Sequence, residues 1–393
     1  FVTTPTNDST PNYTFSSDEA GTITYGGSCS SSTTSATTGD NTITLVSLSD
    51  GTYSNCTITV TDAAGNASSS LTMNSFVVDT TSPTVSSISP SDSASSVSIG
   101  STISVTFSES IDNSSVTANT SNTTCSESLQ LSSNNFSSCI QMSSTPSASN
   151  TNKTFSVTPS DNLSSETSYK IRVTTLVKDV VGNSMSNSYT TSNGFTSADI
   201  TSPILSQVTA VSTPTNDNTS SYTFSSTEAG TITYGGSCSS DNTSATIDNN
   251  TVTFNALVDG TYDNCTITVT DNSSNVSNTL ATTSFVIDTT APTVSSISPT
   301  DNQSSVSISD NISVIFSEAM DNTSVTTNTD NASCSGTLGV SSDNFSSCVK
   351  MSSSPASSNS NMTFTLDPYD NLTVGTTYKT RVTTGVKDTA GNA

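Results

Sequence analysis

The sequence predicts an all-β protein made of four tandem antiparallel β-sandwiches in an A-B-A-B array with a 209-residue period. Apolar residues alternate with Ser and Thr in short runs, as at Cys56, Ile58 and Val60, which is the pattern of a half-buried strand. The chain also repeats itself without insertion or deletion, since residues 25–29 and residues 234–238 both read Tyr-Gly-Gly-Ser-Cys. No stretch shows helical periodicity, and several short strands in each roughly 85–120 residues are typical of antiparallel sandwiches.

Three Asp-x-Thr-x-Pro linkers divide the chain, and they begin at Asp79, Asp199 and Asp288. Proline cannot donate a hydrogen bond to a sheet and it stiffens the chain, so these segments are expected to join domains. The predicted units are A1 (residues 1–81), B1 (residues 82–201), A2 (residues 202–290) and B2 (residues 291–393). The second copy stops at the counterpart of Ser184, so we expect B2 to lack the counterpart of a last strand at residues 188–195.

The predicted strands recur in the same order in both copies. In A1, Glu19 stands between candidate strands A and B, and strand F is expected at residues 56–60. In B1, strand B is expected at residues 103–107 and strand F at residues 169–173, where Ile, Val, Phe and Tyr alternate with polar residues. The same elements are expected 209 residues later in A2 and B2.

A turn followed by Tyr precedes strand F in each unit. Residues 50–53 and residues 259–262 both read Asp-Gly-Thr-Tyr, and Tyr169 and Tyr378 take similar places in the B units. A Tyr at this position is typical of the tyrosine corner of immunoglobulin-type sandwiches, in which its hydroxyl bonds to backbone a few residues upstream. The alternative is an ordinary core Tyr beside a turn. We interpret the motif as the corner, because strand, turn and spacing agree.

These motifs resemble known families over essentially the whole chain. The A units resemble the bacterial Ig-like repeats of large surface adhesins through their Asp-Gly-x-Tyr, Val-Thr-Asp-x-x-Gly-Asn and Asp-Thr-Thr-x-Pro motifs. The B units resemble the Ig-like domain of S-layer and related surface proteins through residues 107–112, residues 316–321 and the loop from Asp179 to Asn183. The resemblance implies Ig-like sandwiches and an extracellular or cell-surface, bacterial setting. One departure is the loop at residues 271–275, which lacks the Gly.

The composition excludes several classes of function. The formal net charge is −24, only 8 residues are Lys or Arg, and the chain has no His and no Trp. Without His it cannot form a Ser-His-Asp triad or an imidazole metal site. So few basic residues cannot follow a phosphate backbone, and no apolar run is long enough to cross a bilayer, so we expect neither a nucleic-acid partner nor membrane insertion. We also expect no enzyme, because the carboxylates recur with the domain period and there is no Trp on which a sugar could stack.

Eight cysteines, two in each unit, indicate an oxidising compartment. An even number without metal-type spacing is the pattern of a disulfide framework, whereas free buried thiols or a zinc site are the alternatives. Each bridge would stabilise its small core by about 3 kcal/mol in the chain-entropy model. The expected pairs are Cys29–Cys56, Cys125–Cys139, Cys238–Cys265 and Cys334–Cys348.

Acidic residues are expected to gather at the domain junctions when the Ig topology is followed from strand to strand. The B–C and F–G loops of a B unit face back to the linker before it, and we place Glu19 at the far end of A1, beside the same linker. The first junction then collects Glu19, Asp79, Glu109, Asp112, Asp179 and Asn183, and the third collects Glu228, Asp288, Glu318, Asp321, Asp388 and Asn392. The middle junction has Asp199, Asp271 and Asn275, and a similar loop with Asp62 and Asn66 lies at the first end of A1, where a further neighbour is expected.

Clustered carboxylates repel one another unless a cation neutralises them. Ca²⁺ takes six to eight oxygens, several of them from Asp and Glu, whereas Mg²⁺ keeps more water. We therefore expect Ca²⁺ at the junctions, where it would join consecutive units into a rod, and the resemblance to adhesin repeats implies the same. The alternative is that Asp and Asn serve as turn formers, since Asp-x-x-Gly-Asn is itself a good hairpin turn.

The sequence therefore predicts an extracellular structural protein, a repeat-built fibre, filament or stalk stiffened by disulfides and inter-domain calcium. Its expected partners are further copies of itself or neighbouring repeats of the same chain, and surface glycans on Ser, Thr or Asn sequons such as Asn12-Tyr13-Thr14 would fit the composition. The alternatives are a monomeric adhesin stalk that presents a distal domain for cell adhesion or biofilm formation, and a carbohydrate-binding module.

Overall fold

A computed structural model describes residues 1–330 and 332–393, and it divides into two compact units, Phe1–Ile200 and Thr201–Ala393. Every pair of strands in the described residues is antiparallel. The one helical element there is a 3₁₀ turn at Asn113–Ser115. The predicted all-β fold is therefore confirmed. Each compact unit holds two separate hydrophobic cores, and the domain boundaries named above stay a prediction.

The first sandwich of the first unit has eight strands. A four-stranded sheet has the order β3-β2-β6-β7, and the pairs β1–β4 and β5–β8 lie across the core from it. The segment before β1 makes one parallel bridge, from Thr6 to Val78. The strands are β1 (Asn12–Ser17), β2 (Gly21–Gly26), β3 (Ser35–Ala36), β4 (Gly39–Thr44), β5 (Gly51–Tyr53), β6 (Thr57–Thr61), β7 (Leu71–Thr72) and β8 (Phe76–Val78).

The second sandwich packs the sheet β12-β13-β10-β9 against β11-β14-β15, with β16 also paired to β14. Strands β10 and β14 lie where strands B and F were predicted. Their alternate residues are buried because one face of each strand covers the core. The strands are β9 (Val85–Ser89), β10 (Ile103–Phe107), β11 (Leu129–Ser132), β12 (Ser147–Ser149), β13 (Thr154–Val157), β14 (Ser168–Val173), β15 (Tyr189–Thr190) and β16 (Phe195–Thr196).

The second compact unit has the same two kinds of sandwich. The first contains the sheets β17-β18-β21, β20-β19-β23-β24 and β22-β25, and the second contains β26-β27-β30-β29 and β28-β31. The strands of the first are β17 (Leu205–Thr209), β18 (Ser221–Ser226), β19 (Gly230–Gly235), β20 (Ser244–Ala245), β21 (Asp248–Thr253), β22 (Gly260–Tyr262), β23 (Thr266–Thr270), β24 (Leu280–Ala281) and β25 (Phe285–Ile287). Those of the second are β26 (Val294–Ser298), β27 (Ile312–Phe316), β28 (Leu338–Ser341), β29 (Ala356–Ser358), β30 (Thr363–Leu366) and β31 (Lys379–Val382).

Disulfide bonds close all four sandwiches as predicted, and the described residues contain no free cysteine. In A1, Cys29 follows β2 and Cys56 precedes β6, so their bond ties the ends of two neighbouring strands. In B1, Cys125 and Cys139 lie on either side of β11. The bonds therefore fix loops at the sheet ends in both kinds of sandwich.

The predicted tyrosine corner is confirmed in the A units. The Tyr53 hydroxyl donates to the carbonyl of Ser49 at 2.8 Å, and the Tyr262 hydroxyl donates to that of Val258 at 2.9 Å. In B1 the Tyr169 hydroxyl instead accepts from the amide of Ser164 at 3.0 Å. In B2 the Tyr378 hydroxyl accepts from the amide of Thr373 at 2.9 Å, so in each unit the tyrosine fastens the turn before strand F to the core.

Candidate metal centre

The loop after strand β14 is held closed by the carboxylate of Asp179, which is 1% exposed. Its Oδ1 accepts hydrogen bonds from the backbone amides of Val181, Gly182 and Asn183 at 2.8, 2.7 and 2.9 Å. Gly182 has a φ of +103°, a left-handed conformation in which glycine carries no steric cost. The sequence Asp-x-x-Gly-Asn therefore produces a turn whose carboxylate points inward.

The linker brings a second carboxylate to this loop. The backbone amide of Asp79 donates to the carbonyl of Thr6 at 2.9 Å, which holds the start of the linker against A1. Asp50 fastens the next residues, because its carboxylate accepts from the amide of Thr80 at 2.8 Å and from the hydroxyls of Thr80 and Thr81. The linker is thus anchored to A1 on both sides of Asp79.

Glu109, which follows β10, completes a group of three carboxylates. One oxygen from each of Asp79, Glu109 and Asp179 lies within 4.8 Å of the other two. The second compact unit repeats the group with Asp288, Glu318 and Asp388. In each copy the linker, the B–C loop and the F–G loop supply one acid each, as the sequence predicted for these six residues.

The charges of this group oppose one another. Burial raises the pKa of the Glu109 carboxyl, the charges of Asp79 and Asp179 raise it further, and Lys153 acts in the other direction. Burial, followed by Asp288 and Asp388, likewise raises the pKa of Glu318. Each carboxylate group therefore holds its negative charge at a cost, which a bound cation would remove.

The donor set fits a hard cation only in part. Asp179 has committed Oδ1 to three amides and shares Oδ2 with the side chain of Asn183, so it has little capacity left for a metal. Asp79 and Glu109 are half-buried, and each has two carboxylate oxygens. Ca²⁺ bound here would need backbone carbonyls or water for the rest of its six to eight oxygens.

The positions predicted for Glu19 and Glu228 are wrong. In the register between β2 and β6, Thr22 faces Thr61, so the Glu19 turn lies at the Asp62 end of A1, whereas Asp79 follows β8 at the opposite end. In A2, oxygens of Glu228 and Asp271 lie within 4.8 Å of each other. The cause is that the real strand A is the segment before β1, so that β1 is strand B and Glu19 is in the B–C loop.

Asp112 and Asp321 lie outside the two carboxylate groups. Asp112 caps the 3₁₀ turn, and its Oδ1 accepts from the amide of Ser114 at 2.9 Å. Asp321 does the same for the amide of Thr323 at 2.9 Å. For these two residues the structure supports the alternative reading of a turn former.

Asn183 and Asn392 present their amide nitrogens, and not their oxygens, to the carboxylates. The Nδ2 of Asn183 donates to Oδ2 of Asp179 at 2.7 Å and to the backbone carbonyl of Asp79 at 2.8 Å. The Nδ2 of Asn392 makes the equivalent bonds to Asp388 and Asp288, both at 2.7 Å. A nitrogen that donates protons is not a cation ligand, so both residues serve as hydrogen-bond donors here.

The remaining predicted site residues make hydrogen bonds within their own loops or sandwiches. Asp62 accepts from the amide and the side-chain nitrogen of Asn66, both at 2.8 Å, and the pKa of Asp62 is lowered chiefly by the Asn66 side chain. Asp271 accepts from the amide of Asn275 at 2.8 Å, and Ser274 takes the left-handed φ of 73° where the other loops have Gly. Asp199 accepts from the hydroxyl of Ser165 at 3.1 Å. Calcium binding by Asp199, Asp271 and Asn275 stays a prediction.

Sequence reasoning missed three contributors. Asp50 and Asp259 anchor the linkers, and their place in the Asp-Gly-Thr-Tyr motif was the available signal. Lys153 is the nearby cation of the first carboxylate group, and its counterpart 209 residues later is Met362. No pattern in the sequence showed that the Lys153/Met362 difference matters, since only the fold shows that Lys153 lies near Glu109.

Family models match most of this architecture. A model described as a bacterial Ig-like domain matches residues 79–197 and 288–393, which together are more than half of the chain. The chain belongs to the bacterial Ig-like domain family. A second model with the same description matches residues 4–80 of this bacterial Ig-like protein. No curated protein sequence matches it.

Solved structures show only distant likeness. The N-terminal part of the bacterial S-layer protein SbsC is 13% identical over 53% of this chain and 44% of its own, with a TM-score of 0.23. Domains 1–6 of the surface layer protein SbsC are 12% identical over 78% of this chain and 53% of theirs, also at 0.23. Domains MG0-NIE-MG1 of alpha-2-macroglobulin from Escherichia coli are 11% identical over 78% of this chain and 95% of their own, with a TM-score of 0.21. The bacterial Ig-like chain thus spans about half the length of the SbsC chains.

The family and the disulfides together point to an extracellular or surface protein, because disulfides persist in oxidising compartments. In the residues that the structure describes, no helix has the length and apolar character to cross a membrane.

Proposed function

We propose that this bacterial Ig-like chain is a structural segment of an extracellular fibre, filament or stalk in which Ca²⁺ binds where an A unit meets the following B unit. The observation that carries the proposal is the group Asp79, Glu109 and Asp179, which takes one carboxylate from the linker and two from loops of B1. A cation at this point would bind both sides of a joint at once. The work of such a protein is to hold a defined length, so no enzymatic activity is proposed.

Three features support calcium over a purely structural acid cluster. The group recurs at Asp288, Glu318 and Asp388 with the same burial. The charges of the two neighbouring aspartates add to burial in raising the pKa of Glu109 and of Glu318. All its ligands are oxygens, which is the donor set of hard cations such as Ca²⁺.

Isothermal titration calorimetry of the EDTA-treated chain tests the metal. We expect Ca²⁺ to bind more tightly than Mg²⁺, and we expect Glu109→Gln and Glu318→Gln each to remove one of the sites. Glu127→Gln is the matched control, because Glu127 is also half-buried but lies outside the carboxylate groups. If Ca²⁺ produces no binding heat, or if Glu109→Gln and Glu318→Gln both bind like the wild type, the calcium proposal is wrong.

Electron microscopy in Ca²⁺ and again after EDTA tests the assembly. Ordered filaments with an axial repeat would show that the chain is the polymer itself. Isolated strands that slacken on chelation would show a stalk, as in the alternative of a monomeric adhesin tether. Compact particles without extended strands would contradict both forms of the proposal.

A further inference from the structure

We propose that Asn183 and Asn392 lock the joint between the A and B sandwiches of each pair without any metal. In each copy one amide nitrogen bridges two acceptors that belong to different sandwiches. Asn183 Nδ2 lies 2.7 Å from Oδ2 of Asp179, which is in B1, and 2.8 Å from the backbone carbonyl of Asp79, which is held on A1. Rotation at the linker would break the second of these bonds.

The lock is rigid because both of its ends are fixed. Asp179 is held by three backbone amides of its own loop, so the Asn183 side chain that it orients has little freedom. On the other side, the Asp79 amide bonds to Thr6, and Asp50 holds the residues that follow. A hydrogen bond between two immobilised groups loses little side-chain entropy when it forms.

The same amides also satisfy the carboxylate of Asp179, which is 1% exposed. Its two oxygens accept hydrogen bonds from four N–H groups, three on Oδ1 and one on Oδ2. The geometry of the lock is therefore complete without Ca²⁺. Calcium would act on Glu109 and Asp79, and the asparagine would act on the linker backbone.

Additional contacts place the whole loop on the A sandwich. A Cβ on Gly182 would lie 3.5 Å from Nδ2 of Asn7, so the tip of the loop faces the segment before β1 with room for little more than one carbon atom between them. In the second pair the amide of Asn216 donates to the carbonyl of Ala390 at 3.2 Å, which is a direct backbone bond from A2 to the loop of B2. Asn183 and Asn392 belong to these same loops, and their side chains add the bonds to the linker carbonyls.

The first loop of the chain provides an internal control. Asn66 closes the Asp62 loop in the same way, with its Nδ2 2.8 Å from Oδ2 of Asp62, but this loop lies at the end of A1 away from the linker of Asp79. Loop closure and linker locking can thus be separated by mutation. Asn66→Ala removes only the closure, whereas Asn183→Ala removes the closure and the lock.

The test is the rate at which proteinase K cuts the linker at residues 79–84 of the intact chain in EDTA. Losing a partly buried hydrogen bond raises the population of the open joint about fivefold, and cleavage follows that population when opening is fast. We expect Asn183→Ala and the near-isosteric but apolar Asn183→Leu to be cut about five times faster than wild type at this linker. Asn392→Leu should do the same at residues 288–293, and Asn66→Ala should leave both rates unchanged.

Two results would overturn the proposal. One is an unchanged cleavage rate in both Asn183 variants and in Asn392→Leu. The other is equal acceleration by Asn66→Ala, which would mean that loop closure alone matters. Because every measurement is made in EDTA, the answer is independent of the calcium titration. A second measurement checks that faster cleavage comes from a looser joint. Pulsed electron paramagnetic resonance between spin labels on unnatural amino acids at Thr42 and Ser147 measures the distribution of distances between A1 and B1, and this distribution should be wider in the Asn183 variants.

Discussion

Glu109 and Glu318 are carboxylates whose charges oppose folding when no cation is present. Burial and two neighbouring carboxylates raise the pKa of each above its usual 4.5. The unfolded chain then ionises first as pH rises, so the stability that these groups contribute is complete below about 4.5 and is lost as pH rises through the raised value. Asp50, Asp62, Asp259 and Asp343 behave in the opposite way, because hydrogen bonds lower the pKa of each below 3.8, so their contribution is lost only in stronger acid.

The raised pKa of Glu109 predicts that Glu109→Gln changes thermal stability in opposite directions with and without calcium. In EDTA at neutral pH the substitution removes a repelled charge and is expected to raise the Tm of B1 by roughly 2–4 °C, for a change on the order of 0.5 kcal/mol. In saturating Ca²⁺ it removes a ligand and should lower the Tm. Scanning calorimetry in both buffers measures this. A decrease in both buffers would contradict the raised pKa of Glu109.

The difference between Lys153 and Met362 makes the two carboxylate groups unequal. The positive charge of Lys153 partly offsets the burial and the aspartate charges that raise the pKa of Glu109, whereas the uncharged Met362 cannot do this for Glu318. We therefore expect Lys153→Met to strengthen Ca²⁺ binding at the first group severalfold. The control is Met362→Lys, which should weaken binding at the second. Titration calorimetry of both variants checks the pair, and unchanged affinities would show that the lysine is screened by solvent.

B1 and B2 also differ in the residue that accepts a hydrogen bond from an arginine of strand F. In B1, Arg172 stacks on Phe136 at 4.0 Å and donates from Nε to Oε1 of Gln130 at 2.7 Å. In B2, Arg381 stacks on Phe345 at 4.4 Å, but Gly339 replaces the glutamine, and Arg381 Nε has no partner among the described residues. A buried donor without an acceptor destabilises the fold.

Gly339→Gln is therefore expected to stabilise B2 by about 1 kcal/mol, through the restored acceptor and the loss of a glycine from strand β28. The reciprocal Gln130→Gly should destabilise B1 by a similar amount. Urea unfolding followed by hydrogen exchange in each sandwich measures both. A loss of stability in Gly339→Gln would mean that Cys348 Sγ, 3.2 Å from the new Cβ, cannot move aside.

At the scale of elements, the disulfides differ in how much chain they enclose. The bond of an A unit closes 27 residues and that of a B unit closes 14. In the chain-entropy model each is worth about 3 kcal/mol, with the longer loop favoured by roughly 0.6 kcal/mol. We expect the double substitution of Cys29 and Cys56 by Ala to lower the Tm of A1 by about 10 °C or more, and that of Cys125 and Cys139 to lower the Tm of B1 slightly less. Calorimetry of the two variants decides the order.

Elements with a strong local signal were predicted well. Buried residues alternate with more exposed ones along strands β10 and β14. The Asp-Gly-Thr-Tyr motif before strand F likewise predicts a tight turn closed by the Tyr53 hydroxyl, which the structure has. The first strand of A1 had no such signal, because the segment before β1 makes one isolated bridge, from Thr6 to Val78. Missing it gave the label A to β1, which is strand B, and the label B to β2, which is strand C. That single shift moved Glu19 and Glu228 to the wrong end of their sandwiches.

The site shows the same division. Asp179 and Glu109 were placed correctly, because each follows a strand that the pattern identifies. The donor role of Asn183 could not be read from sequence, since an amide side chain offers an oxygen or a nitrogen, and only the positions of the Asp179 carboxylate and the Asp79 carbonyl decide which one faces them.

At the scale of the whole molecule, each of the four cores is built from its own strands. Sandwiches that share no core can unfold one at a time. Pulling the intact chain by its ends is therefore expected to give four separate force peaks. Force spectroscopy measures the number of peaks, and one cooperative event would show that the sandwiches unfold together.

The disulfides set how much length each of those events can release. A bond that closes 27 residues withholds about 90 Å of extended chain, and one that closes 14 withholds about 45 Å. With its disulfides formed, the chain would lengthen by a shorter step each time a sandwich unfolds, whereas the reduced chain would extend to its full contour length. The redox state of the surroundings would thus adjust both the stability of each sandwich and the distance by which the chain lengthens when that sandwich unfolds.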